Sequence, residues 1–208
     1  MSENFVPSFV EHVTDDLVDE MIVSGKWVEH GGDLEDQWTG GVFDYELEST
    51  YPELIGKDFE EVRNLPQFRQ ILKTMLLSVA EENYNNLVNG SKFDNLPPLT
   101  PDSLIYRGIT LKGGLNGTTG IYWSQLKSQA LYRFIDENTG GWLFVSRAGD
   151  VTIDWYQTIR SRLDLAHGQD EVEIQLVKGS PVKARVYRVH FIKGKPQITL
   201  GNYHFLRA

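Results

Sequence analysis

Three short stretches in the second half of this chain carry residue types with chemistry to do. Tyr106-Arg107-Gly108 places a guanidinium at the end of an apolar run, with a glycine directly after it. Arginine offers a planar, permanently charged fork suited to phosphate, and glycine lets a ligand approach the backbone closely. Ile121-Tyr122-Trp123-Ser124-Gln125 ends an apolar run in a serine, placed either to cap the helix that follows or to hydrogen-bond a substrate. Asp170-Glu171-Val172-Glu173-Ile174-Gln175-Leu176 reads as a strand in which Glu171 and Glu173 share one face, about 7 Å apart by strand rise. Two carboxylates so placed raise at least one pKa unless a cation or a substrate donor lies between them. Each stretch alone also has a plain structural reading: a surface arginine before a turn, a helix cap, and glutamates on a solvated strand face.

Other chemistries are disfavoured by composition. Cysteine is absent, which removes disulfides, zinc ribbons, iron–sulfur ligation and thiol nucleophiles. The five histidines, at positions 12, 30, 167, 190 and 204, show neither His-x-His nor His-x-x-x-His spacing, so no metal site is expected. Met1-Ser2-Glu3-Asn4 lacks a basic region leading into an apolar core, and nowhere do roughly eighteen apolar residues run together. The expected location is the cytoplasm, with no membrane partner.

Charge is divided unevenly along the chain. Residues 1–100 hold 20 Asp and Glu against 6 Lys and Arg, and residues 101–208 hold 9 against 14, so the halves carry −14 and +5. The basic half suits an anionic ligand. The acidic half repels nucleic acid and suits either solvation or a basic partner. With no long basic stripe, direct nucleic-acid binding is not expected.

The elements that must position the three stretches follow from periodicity. Ser8-Phe9-Val10-Glu11 has the capping-box form, and apolar residues recur at helical spacing from there until Gly25. Residues 26–60 lack a clean period and read as irregular structure with one short strand or helix. A second helix is expected from Pro66 to Asn89, with Gly90 just beyond it. After the proline-rich connector Asn95-Leu96-Pro97-Pro98-Leu99-Thr100-Pro101, strands are expected at Ser103–Ile109, Gly120–Trp123, Trp142–Ser146, Val151–Trp155, Glu171–Val177, Val182–Phe191 and Gln197–Leu206. The last two form a hairpin across Lys193-Gly194-Lys195-Pro196, and one helix lies at Gln125–Asp136. Helices first, then an antiparallel-rich sheet with an embedded helix, is an α+β pattern. The expected division is residues 1–100 as an acidic helical region packing on a core of residues 101–208.

Taken in order, Tyr-Arg-Gly, strand-Ser-helix and turn-Glu-x-Glu-strand resemble the mono-ADP-ribosyltransferases of the arginine–serine–glutamate class, above all the small ones of T-even-type bacteriophages that modify host proteins. The resemblance covers roughly residues 100–208. It rests on Leu104-Ile105-Tyr106-Arg107-Gly108-Ile109, on Ser124 with the following Ala130-Leu131 and Phe134, on Trp142-Leu143-Phe144-Val145 leading to Ala148-Gly149-Asp150-Val151, and on Asp170-Glu171-Val172-Glu173-Ile174 followed by Gly179. The family's Ser-Thr-Ser is here Trp123-Ser124-Gln125. Ser146 is the competing serine; Ser124 is preferred because it leaves a helix and two strands before the Glu-x-Glu turn.

The resemblance implies an ADP-ribosyltransferase-like fold with a split β-sheet core, NAD as substrate without a metal, and transfer of ADP-ribose to a protein with release of nicotinamide. It implies that Glu173 stabilises the ribosyl oxocarbenium ion, that Ser124 holds Glu173 and the ribose, that Arg107 clamps phosphate or the adjoining ribose, and that the Gly108 backbone meets the nicotinamide amide. Glutamate at Glu171 points to arginine as the acceptor, in a basic or arginine-bearing target such as a host protein. The alternatives are an NAD glycohydrolase whose acceptor is water, and a non-catalytic acidic interaction or inhibitor protein. A histidine–tyrosine–glutamate relative is disfavoured, because Tyr106-Arg107 stands where that branch has histidine.

Overall fold

The computed structural model describes residues 5–27, 32–91, 96–111, 119–163, 172–199 and 203–208. The chain divides into two compact units, one of Met1–Pro7, Asn85–Thr158 and Asp170–Ala208, the other of Ser8–Tyr84 and Ile159–Gln169. This division falls at residue 84 rather than 100, and a second segment from the later half joins the helical unit.

The helical unit contains α1 (Val10–Ser24), α2 (Leu34–Thr39), α3 (Asp44–Thr50), α4 (Phe59–Val62) and most of α5 (Pro66–Asn89). The ends of α5 fall where the proline and glycine signals put them. Gly25, with φ +70°, closes α1 by donating its N–H to the Met21 carbonyl. The capping box expected at Ser8 does not form: Phe9 is the N-cap of α1 and no side chain caps it. A comparable reciprocal arrangement occurs at α4, where the Glu61 carboxylate accepts the Asp58 N–H at 3.2 Å. The stretch read as irregular is instead a series of short helices set round an aromatic cluster. Phe43 and Phe68 are fully buried, with ring centroids 5.6 Å apart, and Trp27, Trp38 and Phe59 meet them edge-on or tilted. Helices of one or two turns are too short to show a period, and their stability comes from that tertiary packing.

The other unit is built on one sheet of seven strands: β1 (Leu104–Thr110), β2 (Tyr122–Ser124), β3 (Gly141–Arg147), β4 (Glu173–Gln175), β5 (Pro181–Ile192), β6 (Lys195–Thr199) and β7 (Tyr203–Arg207). Their order is β4-β2-β1-β3-β5-β6, with β7 also on β5, and every pairing is antiparallel. The architecture is therefore α+β. Two expectations fail here. The last predicted strand is two, β6 and β7, each pairing with a different half of the long β5. The β5–β6 turn is Lys193-Gly194, φ +50° and +72°, a two-residue turn that matches strand twist, and Lys195 and Pro196 already belong to β6.

The predicted strand at Val151–Trp155 is also corrected. Ile153 makes a single bridge to Leu176, and then α7 (Trp155–Leu163) begins. The Asp154 carboxylate accepts the Gln157 N–H at 3.1 Å, a capping signal that the β-branched run Val151-Thr152-Ile153 masks in the sequence.

Helix α6 (Lys127–Tyr132) lies across the sheet. Ala130, Leu131 and Ile135 pack on Leu143 and Val189, with Tyr106, Val145 and Tyr187 round the edge. Gly108 makes this approach possible: a Cβ there would stand 1.9 Å from the Ala130 carbonyl oxygen. Gly108→Ala is expected to destabilise the protein by about 2 kcal/mol or more, since the nearest atoms, the Ala130 carbonyl carbon and oxygen, are backbone and cannot rotate away. Urea unfolding measures it; an unchanged midpoint would mean that α6 is not seated on Gly108.

Candidate active site

Antiparallel pairing builds the site one residue per strand. Trp123 faces Ile174 across β2 and β4, and both are buried, so this apolar pair sets the register. The next pair along is Ser124 and Glu173. Residues directly opposed in this way have Cβ atoms about 5 Å apart. Ser124 also faces Tyr106 of β1, which faces Val145 of β3, which faces Arg185 of β5. Glu173, Ser124, Tyr106, Val145 and Arg185 thus form one row on one face of the sheet.

Arg107, Ser124 and Glu173 line the same small cleft, together with Tyr106, Tyr122, Trp123 and Phe134. Strict strand alternation would send Arg107 to the face opposite Ser124. The paired register of β1 and β2 is confined to Tyr106 and Ser124, however, and the guanidinium lies 5.4 Å from the Phe134 ring centroid. Gly120, at φ +74° just before β2, lies beside it: a Cβ there would stand at ordinary contact distance, 3.6 Å, from Arg107 Nη2, so glycine is called for by the positive φ and not by space. The free volume of the cleft is about 10 Å³, room for about one water molecule.

The individual groups are held as follows. Ser124 is 2% exposed, and its Oγ accepts the Leu126 N–H at 3.0 Å. It shapes the approach to α6 without being the N-cap, which is Leu126. Glu173 Oε1 accepts a hydrogen bond of 2.7 Å from Gln175 Nε2, two residues on and on the same strand face. Burial, and after it the nearby Tyr187, raise the Tyr106 phenol above its ordinary pKa. Ser146, the competing serine, is committed elsewhere: its Oγ donates to the Lys183 carbonyl at 2.8 Å, tying β3 to β5.

One expected site residue does not line this cleft, and another lies outside the described residues. Gly108 is buried against Ala130 and is not among the lining residues. Glu171 lies outside the described residues, as do the Gly168-Gln169 turn and Asp170. The expectation that Glu171 and Glu173 share an extended face therefore falls outside the described residues. Val172 has φ +46°, an uncommon left-handed conformation for a β-branched side chain, and β4 begins only at Glu173. Val172 is fixed there in part because its carbonyl accepts the Gln125 N–H at 3.1 Å.

Beside the cleft, Gln175 is a residue that the sequence did not single out, though a period-of-two argument from Glu173 could have found it. In the sequence Phe134 reads only as part of the helix after Ser124; its place over Arg107 depends on the seating of that helix. Among the described residues, no group of three or more acidic or histidine side chains is arranged to hold a metal ion, and no helix is long and apolar enough to cross a membrane. Comparison with protein-family models, with curated proteins and with solved structures finds no match to this chain.

The raised Tyr106 pKa has a pH consequence. As pH rises past 10.0, tyrosines of the unfolded chain ionise while Tyr106 in the folded protein keeps its proton. The unfolded state then binds fewer protons, so the contribution of Tyr106 to stability is constant below that pH and falls above it. Phenolate absorbance should show a late-titrating tyrosine that Tyr106→Phe removes. A titration unchanged by the substitution would show that Tyr106 is not the shielded phenol.

Proposed function

We propose that the chain transfers ADP-ribose from NAD to a protein acceptor, an arginine side chain, with release of nicotinamide. The observation that carries this reading is the convergence of Arg107, Ser124 and Glu173, 66 residues apart at the extremes, on one cleft, with Ser124 opposite Glu173. In the reaction the bond between ribose C1 and nicotinamide breaks, its electron pair goes to the departing ring, and positive charge develops on the ribose. A carboxylate fixed at that centre stabilises the charge where it forms. Glu173 has that task, held in place by Gln175. Arg107 pairs with the pyrophosphate or its adjoining ribose. The acceptor nitrogen then bonds to C1 and loses its proton to solvent.

A ribosyl group needs more than 10 Å³, so binding requires the exposed Tyr122 or the half-buried Phe134 to swing aside. Glu171 is the residue proposed to orient the acceptor guanidinium, which a carboxylate can grip by a charge-assisted fork. The acidic balance of residues 1–100 suits a basic target, whose encounter would then be steered electrostatically and weaken with salt.

Two substitutions test the reading. Glu173→Gln keeps an oxygen for Gln175 but removes the charge, and is expected to lower NAD consumption about a hundredfold or more with the melting temperature nearly unchanged. Glu171→Ala is expected to abolish labelling of protein by labelled NAD in a bacterial lysate while hydrolysis of NAD continues. Wild-type protein that consumes no NAD, alone or with lysate, overturns the proposal; equal loss of both activities in Glu171→Ala overturns the division of roles.

A further inference from the structure

A second and larger cleft opens on the same unit, with a free volume of about 420 Å³, inside the range of roughly 300–1,000 Å³ usual for small-molecule sites. Its lining is Leu104, Val145, Ser146, Arg147, Asp150, Lys183, Arg185 and Tyr187, so three cations face one carboxylate. The sheet register puts those cations together. Arg185 faces Val145, and Lys183 stands two residues before it, on the same face and about 7 Å along the strand. Counting on from that pair brings Arg147 alongside Lys183, where the Ser146 bond to the Lys183 carbonyl keeps β3 and β5 adjacent.

Arg147 has Asp102 at 3.6 Å, but that pair is largely exposed, 62% and 90%, and so offsets little. A concave site whose lining holds three cations to one carboxylate suits a multiply charged anion. Its spread over two strands fits neighbouring phosphoryl groups better than a single one, with the Arg185 fork and the Lys183 point charge as complementary grips. Leu104, 47% exposed, and Val145 supply an apolar seat beside them, and Tyr187 brings a hydroxyl.

We propose that this cleft binds a nucleoside diphosphate, gripped by Arg185, Lys183 and Arg147. The site stands on its own lining, independently of the transferase reading, yet the two clefts share the row from Glu173 through Ser124, Tyr106 and Val145 to Arg185. Four strand spacings separate its ends, about 19 Å. The diphosphate therefore has two possible sources, a separate nucleotide or the far half of a dinucleotide whose other end lies at Glu173.

Binding of ADP to the full chain, followed by equilibrium dialysis, tests the proposal. Wild type is expected to bind ADP, to lose it to competing pyrophosphate but not to adenosine, and to bind more weakly as salt rises. Lys183→Ala and Arg185→Ala should each weaken binding about tenfold or more. Arg188→Ala should leave binding unchanged: Arg188 lies on the opposite face of β5, 4.8 Å over the Trp142 ring. Thermal melts confirm that each variant is folded. Absence of ADP binding at millimolar concentration, or equal losses in all three variants, overturns the site. Where Arg185→Ala also raises the KM for NAD about tenfold at constant kcat, the diphosphate is the dinucleotide's own. Where ADP binding is lost and that KM is unmoved, the ligand is a separate nucleotide. Wild type that binds ADP but consumes no NAD supports this site and sinks the transferase reading alone.

Discussion

The candidate chemistry depends on the backbone register of one three-residue strand. β2 is held between β1 and β4, and the buried pair Trp123 and Ile174 decides which residues stand opposite one another. A slip of one residue would exchange the two faces, sending Ser124 and Glu173 where Trp123 and Ile174 now are. Such a slip would bury the Glu173 carboxylate in an apolar layer, so the apolar pair on one face secures the polar pair on the other.

The same register extends across the sheet and gives it a polarity. One end of the row carries the carboxylate of Glu173, and the other carries the cations of β5. Helix α6 packs on the sheet beside the row, seated on Gly108, and the same face carries two clefts of very different size. Gly108 thus has a structural explanation in place of the ligand contact that its position after Arg107 suggested. Its missing side chain admits a helix, and the helix in turn brings Phe134 to the Arg107 guanidinium.

Local strain lies close to the carboxylate. Val172 adopts a left-handed backbone one residue before Glu173, and a β-branched side chain tolerates that conformation only when the surroundings impose it. Here the hydrogen bond to Gln125 and the start of β4 impose it from either side. The consequence is that β4 begins at Glu173 itself.

Much was legible from residue order alone. The α+β class, the two long helices with their glycine stops, the main strands, and Arg107, Ser124 and Glu173 as candidates all follow from periodicity, turn residues and side-chain chemistry, which are local properties. The short helices round Phe43 and Phe68, the start of α7 at Asp154, and the division of the last strand were not legible, because they are decided by packing or by capping bonds that compete with local preference. The basic cleft was hidden for a related reason. Arg147, Lys183 and Arg185 are scattered among apolar residues in the sequence, and only strand pairing puts them on one surface. Residue order specified which groups were available; tertiary structure decided which of them meet, because side chains from separate strands share a face only once hydrogen-bond register is set.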